Sequence, residues 1–90
     1  MINPASNNDD PLTVALQALA VTIQDDRRAE RLLDLSGIAP ADLRERAHDP
    51  QLLSAVLRFL EAHEPDLLAV AGELGRKPEE LVAVRSALEA

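Results

Sequence analysis

The chain has no cysteine, tryptophan or tyrosine, and Phe59 is its single aromatic residue. Without thiols there is no disulfide stapling, no thiolate nucleophile and no thiolate zinc site, so stability must come from helix packing or from a second chain. Leucine and alanine dominate the apolar set, which favours helix over strand. Long apolar runs are missing too. The longest nearly apolar stretch, Leu12 to Ile23, is interrupted by Thr13, Gln17 and Thr22 and is too short to span a bilayer. Basic charge is scarce: nine lysines and arginines against sixteen acids leave a formal charge of −7. That balance opposes DNA, RNA and anionic bilayers unless the few arginines are gathered on one face. Asp9 and Asp10 stand where a signal peptide needs positive charge, so a cytoplasmic protein with no membrane anchor is expected.

What the chain does have is punctuation. Pro11, Pro40, Pro50, Pro65 and Pro78 each precede an aliphatic stretch of helical spacing. Proline suits the first helical turn, where its missing N–H has no partner to lose and its φ is already helical. The pattern predicts an all-α fold, a compact bundle of five to six short helices and not a coiled coil. Residues 1–10, rich in Asn, Ser and Pro, are expected to form a disordered leader, and residues 11–90 a single helical domain.

Along that domain, Asp10 caps a first helix whose main stripe, Leu12, Ala15, Leu16, Leu19 and Ile23, is expected to be core. Asp25 and Asp26 mark a break. A second stripe, Ala29, Leu32, Leu33 and Ser36, ends at Gly37, the residue type that accepts a left-handed cap. The short helix opened by Pro40 has Leu43 as its anchor. Gln51 to His63 is apolar almost all round, with Gln51, Ser54, Arg58 and Glu61 as a narrow polar stripe, and should be the central helix. Leu67 to Leu74 should be deeply packed, with Gly72 and Gly75 able to end it, and Leu81, Val84 and Leu88 form the stripe of the last helix.

No spacing points to a reaction. His48 and His63 each precede an acid and a proline, in last-turn positions favoured by the negative helix end, and neither has a ligand-type residue four positions before it. No cofactor or metal site is expected. Gly72 to Lys77 lacks the glycine spacing of a phosphate loop and has Pro78 where Ser or Thr belongs. The charges from Asp25 to Asp34 read as a solvated face with weak ion pairs. An enzyme is therefore not expected.

Two features suggest binding. Val14, Ala18 and Val21 form a second apolar stripe on the first helix that needs covering: burial within this same domain is the leading explanation, and a docking face for a partner protein or a second copy is the other. The joint Gly37-Ile38-Ala39-Pro40 resembles a helix-turn-helix, which makes Arg44 and Arg46 candidate nucleic-acid contacts. The motif wants a small residue at Leu33 and an apolar one at Ser36, however, and Asp42 and Glu45 surround the arginines. Charge argues the same way.

Ala15-Leu16-Gln17-Ala18-Leu19-Ala20, the corner Leu35-Ser36-Gly37-Ile38-Ala39-Pro40-Ala41-Asp42-Leu43-Arg44, Asp49-Pro50 and Val56-Leu57-Arg58-Phe59-Leu60 together resemble a family of small alphaproteobacterial proteins catalogued as a domain of unknown function. The likeness runs from about Leu12 to Leu88. It implies a compact helical fold in a bacterial cytoplasm, with a helix start near Arg27, where members look to have proline. It brings no activity, cofactor or site residue. The leading expectation is a non-enzymatic protein-interaction module docking through helix one. The alternatives are a helix-turn-helix-like nucleic-acid-binding regulator and a binder of a small apolar ligand among helices four and five.

Overall fold

The computed structural model describes Asp10–Ala90, and the described chain forms six helices: α1 Pro11–Gln24, α2 Asp26–Ser36, α3 Pro40–Glu45, α4 Pro50–Ala62, α5 Glu64–Glu73 and α6 Pro78–Glu89. The expected disordered leader lies outside the described residues except for Asp10. Pro11, Pro40, Pro50 and Pro78 each occupy the first position of a helix, and Pro65 the second position of α5. Three helices carry an aspartate cap. The Asp10 carboxylate accepts the Thr13 amide, Asp49 accepts that of Gln51, and Asp25 accepts those of Arg27 and Arg28. Asp25 thus starts α2 where the first stripe loses phase. Gly37 closes that helix at φ 75 and Gly75 follows α5 at φ 68. Behind Gly75, the Arg76 amide reaches back to the Ala71 carbonyl and the Gly75 amide to that of Gly72, the pattern of a Schellman cap. Gly72 itself lies inside α5.

Helix α4 is central as expected: it buries Leu52, Leu53, Val56, Leu57, Phe59 and Leu60 and meets α1, α2, α5 and α6. Helices α1 and α6 pack on it and on each other, so Val14, Leu57, Val70 and Leu81 meet in one core. Helix α3 has no buried residue, and Leu43 is half-buried against the core.

Helix α1 corrects the sequence reading. Its buried residues are Val14, Ala15, Ala18, Leu19 and Thr22, whereas Leu12 and Ile23 are 41% and 44% exposed. The helix is turned so that its smaller side chains face α4 and α6. Thr22 can join them because its hydroxyl donates to the Ala18 carbonyl at 2.7 Å, which satisfies the polar atom without water. Of the two readings of the second stripe, burial within the domain holds and the candidate partner face does not: Val14 and Ala18 are completely buried and Val21 packs half-buried beside them.

Candidate functional site

Burial removes the expected docking face from α1. The proposed nucleic-acid contacts fare no better as a pair. Helix α3 is six residues long, Arg44 is on its last turn, and Arg46 lies beyond it with both Nε and Nη2 on the Asp49 carboxylate at 3.0 and 2.6 Å. Hydrogen bonding with Asp49 raises the Arg46 pKa, and the same bonds lower that of Asp49. The arginines of the corner are not presented together on a recognition helix.

The two histidines are likewise separate. His48 lies in the turn after α3 rather than in its last helical turn. His63 joins α4 to α5, donates from Nδ1 to the Phe59 carbonyl at 2.9 Å, and tilts its ring over Phe59 with centroids 4.6 Å apart. Among the described residues no group of three His, Cys, Asp or Glu side chains could hold a metal ion, and no helix is long and apolar enough to cross a membrane.

An apolar groove of about 310 Å³ runs between the end of α2 and the outer face of α4, lined by Leu35, Ser36, Ala55, Arg58, Phe59, Ala62 and His63. Leu35 is 60% exposed beside it. Ala55 and Ala62 flank Phe59 at spacings of four and three, so the groove exists because short side chains border the ring on one helix face. Ser36 turns its hydroxyl back to the Leu32 carbonyl and accepts the Ile38 amide, which keeps its polarity out of the groove.

Two charge clusters join helices, and the second corrects, at Arg28 and Arg31, the expectation that the charges from Asp25 to Asp34 are a solvated face. The polar stripe of α4 is the docking edge for α6. Glu89 takes Nε and Nη2 of Arg58 at 2.6 Å each, Nη1 of Arg85 at 3.0 Å, and the Ser54 hydroxyl. Arg85 also grips Glu61 with Nε and Nη2 at 2.7 and 3.2 Å. The Arg58 guanidinium, then Ser54 and Arg85, hold the Glu89 carboxyl down at about 2, against an ordinary 4.5. Hydrogen bonding to Glu61 and then Glu89 raises the Arg85 pKa.

The second cluster joins α2 to α5. Arg31 offers Nε and Nη2 to Asp66 at 3.2 and 2.6 Å, and the Asp66 side chain keeps only 10% of its exposure. Arg28 is the one buried cation among the described residues, 9% exposed. Its Nη2 donates to Glu73 at 3.1 Å, but its Nε is fully buried without an acceptor. An open cleft of about 440 Å³ lies here, lined by Asp25, Arg27, Arg28, Arg31, Asp66, Ala69 and Glu73. The amide of Arg28, more than that of Arg27, lowers the Asp25 pKa, with the guanidiniums of Arg28 and Arg31 assisting.

The family model for proteins of unknown function designated DUF3572 matches residues 8–90. The chain belongs to that family. No curated protein and no solved structure gives a significant match. The DUF3572 match covers all six helices and so includes both the groove and the charged cleft. Neither feature was found from the sequence. Leu35 falls outside the stripe of α2, and the signal available for the groove was the pair of alanines bracketing Phe59. For the cleft it was Asp66, an acid in the first turn of a segment otherwise apolar up to Glu73.

Proposed function

We propose that this DUF3572 protein is a non-enzymatic protein-interaction module whose docking site is the groove between α2 and α4. The observation that carries the reading is Leu35, a large aliphatic side chain 60% exposed at the edge of an apolar groove of about 310 Å³. The occupant is an amphipathic helix of a partner protein, with an apolar anchor seated between Ala55, Phe59 and Ala62. The formal charge of −7 favours basic residues flanking that anchor. The same reading carries the alphaproteobacterial, cytoplasmic setting implied by the sequence resemblance.

The test pairs the wild-type chain with Leu35→Asp, which changes an exposed position and leaves the core intact. Both are used to capture partners from cell extract, and any partner is then titrated in purified form. A partner bound by the wild type, and about tenfold or more weaker with folded Leu35→Asp, supports the groove as the docking site. Equal binding by both chains, or no partner for either, overturns it.

A further inference from the structure

Six arginines make side-chain ion pairs among the described residues: Arg28, Arg31, Arg46, Arg58, Arg85 and Arg76, the last of which donates Nη1 to Glu80 at 3.1 Å. Four of them present the same edge, Nε with Nη2, to one carboxylate. That edge places two parallel donors at the spacing of a carboxylate. Arg28 differs. Only Nη2 is engaged, by one oxygen of a Glu73 side chain that is 51% exposed, while Nε is buried with no acceptor. Leaving such a donor unsatisfied is costly for a charged group, and nothing on the apolar side of α2 answers it.

The cleft beside Arg28 has the chemistry and the room to do so. Along α2, Arg27, Arg28 and Arg31 face it; along α5, Asp66, Ala69 and Glu73 face it at spacings of three and four. Ala69 between the two acids contributes only a methyl group, which keeps the middle of the cleft open. Arg31 and Asp66 close on each other at one end. Arg27 is exposed and makes no ion pair with a described residue. The lining carries three cations and three anions, in a chain that is strongly acidic. A simple anion meets Asp25 and Glu73 as it enters, and a simple cation meets Arg27 and Arg28. A molecule bearing both signs meets a complement for each.

We propose that the α2–α5 cleft is a binding site for a small zwitterion of the α-amino-acid type, its carboxylate on the Nε/Nη2 edge of Arg28 with Arg27 beside it, and its ammonium on Glu73 and Asp25. Glu73 is the resident carboxylate of the site. Entry of the ligand moves it from the Arg28 guanidinium to the ligand's ammonium group, a short displacement for a half-exposed side chain, and brings the buried Nε into the geometry that Arg31, Arg46, Arg58 and Arg85 already show. This site is separate from the apolar groove and stands or falls independently of it.

The test is titration of the full chain with a panel of free α-amino acids, with acetate and methylammonium as single-charge probes, read by the arginine Nε–Hε NMR signals. The expected result is a saturable shift of the Arg28 and Arg27 signals with one or more amino acids, at least about tenfold weaker with either single-charge probe, as expected when one of two charge-assisted contacts is removed. Arg28→Met should abolish it. Arg27→Ala, at an exposed position where folding is not at stake, should weaken it several-fold. No saturable Arg28 shift with any amino acid at millimolar concentration overturns the proposal. So does acetate binding as tightly as the amino acids, or an Arg27→Ala chain that binds as the wild type does.

Discussion

The α4–α6 cluster and the α2–α5 cluster draw on the same residue types and differ in how completely the partners answer one another. In the first, Glu89 is met by Arg58, Arg85 and Ser54, and Arg85 is shared with Glu61, so every guanidinium edge has its carboxylate. In the second, Arg31 and Asp66 match while Arg28 keeps one buried donor unanswered beside an open cleft. Reciprocated charge clips one helix to another, whereas a buried donor left unanswered costs stability. The position of each cluster agrees with this. The closed one fixes α6, a wall of the core, while the open one spans two helices at the edge of the bundle.

The comparison is broken most severely by a charge with no partner at all. Val14→Asp places a carboxylate at a completely buried site against α4 and α6, and it should remove most of the stability of about 5–15 kcal/mol typical of a small domain. Urea or thermal unfolding followed by circular dichroism should show no cooperative transition. The same change at a true docking stripe would have left the transition intact, so this variant also checks the correction to α1.

A smaller effect, of opposite sign, sharpens the contrast between clusters. Arg28→Met fills the same space without a buried donor and releases half-exposed Glu73 to water. Its stability should match or exceed that of the wild type, by at most about 1–4 kcal/mol. Arg85→Met, which strands Glu61 and leaves Glu89 with fewer partners, should lower the melting temperature. Equal losses from both substitutions would erase the distinction between the clusters.

The smallest effect is confined to acid. Glu89 has its carboxyl at about 2 in the folded chain against an ordinary 4.5. The folded state therefore binds this proton less readily than the unfolded state. Its stabilising contribution is complete above 4.5 and is lost as pH falls from there towards 2. Thermal melts across that window should fall less steeply for Glu89→Gln than for the wild type. Part of the acid limb should remain in the variant, because Asp25, Asp49 and Glu80 are also held low by their hydrogen bonds.

Helix starts and stops were legible because they depend on local chemistry: a proline in the first turn, an aspartate before it, a glycine at positive φ after it. The central place of α4 was legible because few of its positions are polar. The rotation of α1 was not. When Leu12, Val14, Leu16, Ala18, Val21 and Ile23 surround one helix, the apolar pattern allows several buried faces, and the choice depends on how closely α4 and α6 approach. Thr22 belonged to neither apolar stripe, yet it is buried with its hydroxyl satisfied within its own helix. The charged cluster on α2 was misread for a different reason. Its partners, Asp66 and Glu73, lie 35 and 45 residues away in the chain, so no local pattern could show that these arginines bridge two helices.

Helix α6 is the last described element, yet it packs against α1, the first, and supplies Leu81 to the centre of the core. Contacts between distant parts of the chain are made late, because the loop that joins them must close before they contribute. On the ribosome the first five helices therefore emerge without the wall that completes their hydrophobic interior. Helix α1 lacks its α6 neighbour until that helix arrives. The interval before that closure is when this chain exposes the most apolar surface to misassociation.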